Sequence, residues 1–189
     1  YLNAQFYKDL KFNLSDSLRL VENSNSYQKK VDILMNIGYR YEWSKGDSAI
    51  IFFNKAAEIA KQNKDKTLEF IAMSNISMTY NQTIGNYPLG LHYATESGKL
   101  VNKISNLTDS IRTFYNYNLT FSYGYLHNKE LALKNLVERW PISKRVQPGF
   151  VDGNIGKAFY ILEEYDSATK YNRLVVEFFN KKPYEKRWG

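Results

Sequence analysis

One six-residue phrase returns four times along this chain. Asn36-Ile37-Gly38-Tyr39-Arg40-Tyr41 reappears as Asn75-Ile76-Ser77-Met78-Thr79-Tyr80, as Asn118-Leu119-Thr120-Phe121-Ser122-Tyr123 and as Asn154-Ile155-Gly156-Lys157-Ala158-Phe159. Each copy reads Asn, aliphatic, small, two variable residues, aromatic, and the starts lie 39, 43 and 36 residues apart. A period of about 40 residues predicts a stack of similar units rather than one core around a single centre. It moves the functional question from a reactive centre to the surface such a stack presents.

A second signature follows each phrase. Small residues stand at Ala49, Gly90, Ala132 and Ala168, and three positions later come Phe52, Tyr93, Asn135 and Tyr171. Asn135 breaks the aromatic pattern, with Leu136 beside it able to cover the same space. Turn or cap residues precede the small ones: Gly46-Asp47-Ser48, Gly85-Asn86-Tyr87, His127-Asn128 and Tyr165-Asp166-Ser167. Asp47 and Asp166 read as N-caps, because a short carboxylate can accept from the open amides of a first turn.

Apolar spacing makes the unit helical. Leu34, Ile37, Gly38 and Tyr41 fall at i, i+3, i+4 and i+7, and Met73, Ile76, Ser77 and Tyr80 repeat that stripe. The spacing predicts helices over 28–43, 47–63, 66–83, 87–105, 109–126, 129–139, 149–162 and 165–181. Trp140-Pro141 is read as the end of the sixth, since proline disfavours helical geometry in the residue before it. Pro148 suits the first turn of the seventh. Each pair is a hairpin whose small residue lets the partner approach and whose aromatic fills the gap one turn on.

The organisation read from this is an N-terminal helical cap over 1–27, around Asn13-Leu14-Ser15-Asp16. Repeats then span 28–182, divided as 28–64, 65–107, 108–141 and 142–182, and a basic tail occupies 183–189.

These residues resemble the tetratricopeptide repeat (TPR) family. Its hairpin carries a large apolar residue, a leucine–glycine pair and a tyrosine on the first helix, then alanine, an aromatic and alanine on the second. The first repeat is similar at Leu34, Ile37, Gly38, Tyr41, Ala49, Phe53 and Ala56, and the fourth at Ile155, Gly156, Phe159 and Ala168. Asp152 and Asn116 stand where a large apolar residue is usual, and Thr120 stands for the glycine. The resemblance covers about residues 28–181, with a spacing longer than the usual 34. It implies an all-α fold, an α-solenoid winding as a right-handed superhelix of about four hairpins, and a protein- or peptide-binding role without catalysis or cofactor. The Asp-Ser-Ala turns and the Asn-, Lys- and Tyr-rich composition are similar to TPR segments of Bacteroidetes-type membrane sensor kinases and related regulators. That likeness implies the sensory or scaffolding part of a larger signalling protein, with a periplasmic location favoured over a cytoplasmic one.

In such a stack the first helix of each pair lines the inner groove. Helical geometry then gives the facing residues, the repeated Asn with its neighbours at i−4, i+3 and i+7. These are Asp32, Asn36, Tyr39 and Trp43; Ile71, Asn75, Met78 and Gln82; Phe114, Asn118, Phe121 and Tyr125; and Phe150, Asn154, Lys157 and Ile161. Two roles fit the Asn. One amide can donate to and accept from the backbone of a bound peptide. Equally, it can bond within the scaffold, which would also place it in every unit. The aromatics read as core packing before ligand pockets, as stripes at helical spacing usually do.

Bulk properties exclude several alternatives. The 189 residues suffice for one ordinary domain or about four to five repeat units. With no Cys, thiolate metal sites, disulfides and cysteine nucleophiles are excluded. His92 and His127, the two histidines, have no partners at ligand spacing, so no metal is expected. Gly153-Asn154-Ile155-Gly156-Lys157-Ala158 fails as a phosphate loop, because Val151 holds the leading glycine position and Ala158 replaces the hydroxyl. Asn75-Ile76-Ser77 and Asn106-Leu107-Thr108 match a glycosylation triplet at the frequency an Asn-rich chain produces by chance.

No stretch reaches the length of a membrane span. The opening at Tyr1, without a basic start and apolar run, reads as a piece of a longer or processed chain. The net charge of +7 is scattered, with one cluster at Lys181, Lys182, Lys186 and Arg187. A nucleic-acid footprint is therefore the weaker alternative. Self-assembly through the last helix is another, since terminal repeats need a polar cap.

Overall fold

The computed structural model describes residues 13–146 and 148–180, all helix and turn, with no strand among them. The expectations for residues 1–12 and for the basic tail lie outside the described residues. In chain order the helices are α1 Leu14–Asn23, α2 Tyr27–Tyr41, α3 Gly46–Gln62, α4 Lys66–Thr79, α5 Tyr87–Val101, α6 Asp109–Tyr125, α7 Lys129–Val146, α8 Pro148–Ile161 and α9 Tyr165–Asn180. The described residues group into two compact units, divided between Ser105 and Asn106.

In the first unit α1 to α5 pack on one another in order. Each start is capped where sequence chemistry provides an acceptor. Asn13 Oδ1 accepts from the Ser15 amide at 2.9 Å, Asp65 Oδ1 from Leu68 at 3.0 Å and Asn86 Oδ1 from Leu89 at 3.2 Å. The core gathers Val31, Leu34 and Ile37 of α2, Ala49, Phe53, Ala56 and Ala60 of α3, and Ala72 and Ile76 of α4, with Leu14, Leu18 and Val21 of α1 covering one side.

The hairpins are antiparallel, and their contacts explain both signatures. Gly38 faces Phe53 so closely that a Cβ there would lie 2.6 Å from the ring atom Cδ1. The four small positions Ala49, Gly90, Ala132 and Ala168 are all buried. In three of the four hairpins, the aromatic that closes the Asn phrase meets the aromatic three residues past the small one. Tyr41 stacks on Phe52 at 6.0 Å, Tyr80 on Tyr93 at 5.6 Å and Phe159 on Tyr171 at 5.3 Å. The third hairpin lacks this lock: Asn135 turns its Nδ2 to the Leu131 carbonyl at 2.8 Å, and Leu136 is buried beside it.

In the second unit α6 packs on α7, α7 on α8 and α8 on α9, and α6 also touches α8 directly. Alternate helices run parallel in both units. Tyr27 and Tyr39 of α2 reach Asp65 and Asn75 at the cap and middle of α4. Similarly, Phe121 and Gly124 of α6 meet Lys157 and Ile161 of α8.

Three local expectations are corrected. Asp47 and Asp166 are not N-caps: α3 starts at Gly46 and α9 at Tyr165, so both carboxylates lie inside the first turn. There they favour the helix through its dipole. The helix expected over 66–83 is α-helical only to Thr79 and continues as a π-turn over Tyr80–Ile84, ending at Gly85 with φ 76°. Finally, α7 does not stop at 139 but runs through Pro141 to Val146. Proline's bias is local, whereas α6 reaches back to Asp109, and an antiparallel partner must extend past 141 to cover those first turns.

Candidate functional site

The residues expected to line a groove fall into two seams, one in each unit. In the first, Asn75 is 4 % exposed, and its Nδ2 donates to the Ile71 carbonyl at 2.8 Å and to Tyr39 Oη at 3.2 Å. Tyr39, half-buried, packs edge-on against Phe53 at 5.5 Å. Met78 is buried in the same seam. Asn36, Ile71 and Gln82 are half-buried, while Asp32 and Trp43 are exposed, Trp43 at 65 %. The Asn75 amide thus ties α4 to α2 across one repeat.

The second seam is built differently. Asn118 is 1 % exposed, yet neither its Nδ2 nor its Oδ1 has a hydrogen-bond partner. Phe121, one turn on, is as deeply buried, and Phe114 and Tyr125 are half-buried. Lys157 of α8 places its ammonium 5.3 Å from the Phe121 ring centroid, and partial burial holds its pKa below the usual lysine range. Ile161 lies against Gly124. The side chains of Phe150 and Asn154 lie outside the described residues.

Two residues in this seam escape the sequence reading. Tyr117 packs on Phe121 with centroids 4.3 Å apart, and Arg139 of α7, only 2 % exposed, lays its guanidinium 4.7 Å from the Tyr117 centroid. Tyr117 is detectable in principle, standing four residues before Phe121. Arg139 carries no periodic signal. The result is an aromatic row, Tyr117, Phe121 and Tyr125, with a cation against each of its first two rings.

Another residue not anticipated is Glu42, which follows α2. It is 7 % exposed, and burial raises its pKa to about 7. Asp32 is shifted upward by the same cause.

Among the described residues no three His, Cys, Asp or Glu side chains come together as metal ligands. His92 and His127 are both exposed. No described helix is long and apolar enough to cross a membrane.

No protein-family model matches the chain, and no curated protein matches it. Among solved structures it is similar to BtubC (BKLC) from P. vanneervenii, with a TM-score of 0.65 over 89% of this chain and 72% of that one, at 14% sequence identity. At that identity the likeness is one of fold.

Proposed function

We propose that this chain is a TPR-like module that binds a protein or peptide, four hairpins forming an α-solenoid, as the sensory or scaffolding part of a larger regulator. The reading rests on the shared hairpin construction and on parallel alternate helices within each unit. The observation that carries the binding role is Asn118. A buried carboxamide with no partner on either atom costs about 1–3 kcal/mol per unmet group, and a ligand's peptide group would supply both missing bonds. Asn75, already bonded to Ile71 and Tyr39, is the scaffold counterpart. Lys157 of α8 lies against the Phe121 ring, one turn along α6 from Asn118.

The test is Asn118→Leu, a shape-conserving change. Removing the unmet amide is expected to stabilise the protein by about 1–3 kcal/mol while weakening a captured peptide ligand by about tenfold or more. Calorimetry and thermal melts read the two effects separately. A destabilised variant would assign the amide to the scaffold.

A second reading, self-association, is favoured by α9, where Tyr165, Leu174 and Val176 are exposed at 58, 39 and 58 %. Sedimentation of the wild type and of Val176→Lys is expected to show a concentration-dependent dimer that the variant abolishes. A wild type that stays monomeric rejects it.

A further inference from the structure

The first unit holds a second surface, on the side of α4 turned away from Asn75. A cleft of about 350 Å³ opens between α3 and α5, lined by Ala57, Glu58 and Lys61 on one wall and by Tyr93, Glu96, Lys99, Leu100 and Lys103 on the other, over Glu69 and Met73 of α4. Met73 and Asn75 are two residues apart, which places them about 200° apart around the helix. The cleft is therefore separate from the Tyr39–Asn75 seam.

Its charges sort into tied and untied. Glu69 is held by Lys66 at 2.8 Å, and Glu96 is held by Lys99, whose hydrogen bond keeps that carboxylate below its usual pKa. Two carboxylates on the cleft are thus already neutralised. Lys61, Lys103 and Glu58 are exposed and have no ion pair, leaving an excess of one positive charge at the mouth. Because α3 and α5 are both antiparallel to α4, their C-terminal ends lie together. Lys61 and Lys103 consequently flank the same end of the cleft from opposite walls. Each has a helix C-terminus to complement, but that does not account for the apolar floor between them. Ala57, Met73 and Tyr93 are only half-buried there, with Leu100 closing the wall. Tyr93 is fixed by its stack on Tyr80, whereas Met73 is an unbranched, adaptable side chain.

We propose that this cleft docks a short acidic peptide segment, an apolar side chain seated on Met73, Ala57 and Leu100 and a neighbouring carboxylate held between Lys61 and Lys103.

The three methionines make the experiment internally controlled: Met73 lines the cleft, while Met35 and Met78 are buried elsewhere. The full chain, labelled on its methionine methyls, is titrated with a blocked hexapeptide of alternating leucine and aspartate. The Met73 methyl resonance is expected to move while those of Met35 and Met78 stay. Lys61→Glu with Lys103→Glu, both at exposed positions, should weaken the effect about tenfold or more. Asn118→Leu should leave it unchanged, which separates this surface from the seam of the second unit. A Met73 resonance that stays put at millimolar peptide overturns the proposal. So does an equal response to the leucine–lysine hexapeptide, to a short oligonucleotide or in the charge-reversed variant.

Discussion

Phe53→Ala is expected to lower the stability of the first unit by about 3–5 kcal/mol. Phe53 is fully buried, its ring filling the space that Gly38 leaves open on α2 and meeting Tyr39 edge-on. Gly38 itself has no side chain to fill the hole. The complementary change, Gly38→Ala, forces a methyl into the ring and is expected to cost about 1–3 kcal/mol. Combined, the two should cost less than their sum, since the new methyl enters the cavity left by the ring. Urea denaturation of the four proteins measures the coupling. Simple additivity would mean that Gly38 is there for some reason other than Phe53.

The second large effect is a pH dependence centred on Glu42. Its carboxyl titrates near 7 in the folded protein against an ordinary value near 4.5, because burial disfavours the anion. Between those values the native state holds a proton that the unfolded chain has released, so stability falls as pH rises through that window. The loss amounts to about 3 kcal/mol once pH exceeds 7. Below the unfolded value both states are protonated and the penalty vanishes. Glu42→Gln keeps the shape without the charge, and is expected to raise stability at pH 8 while matching the wild type at pH 4.5. Thermal melts across that range check it. A wild type that gains stability over Glu42→Gln between pH 5 and 8 would show that the carboxylate is stabilised after all, and parallel profiles would show that Glu42 does not set the dependence.

What the sequence discloses and what it withholds divide along a physical line. Helices, hairpin pairing and the small and aromatic signatures depend on side-chain volume at fixed intervals, which letters record directly. The contacts of Gly38 with Phe53 and of Phe159 with Tyr171 are legible for that reason. Roles set by a neighbouring helix are not. Asn75 and Asn118 occupy the same place in the phrase, yet one is bonded to a tyrosine on α2 and the other is unpartnered. Nothing at positions 75 and 118 encodes that difference, because it resides in what the adjacent helix presents. Arg139 and Glu42 are missed likewise, since charged residues at unremarkable positions give no sign of being buried. Pro141 misleads because a local backbone bias says nothing of the helix it has to oppose.

Asn135 has a consequence for how the chain moves. Where the other three hairpins close with a pair of stacked rings, the α6–α7 pair closes with an amide folded back on its own helix. Amide protons of Tyr123 and Asn135 at that point are expected to exchange sooner than those of Tyr41 and Phe52. The same hairpin holds Asn118, a polar group awaiting company, and an occupant there would supply a tie that the missing rings do not.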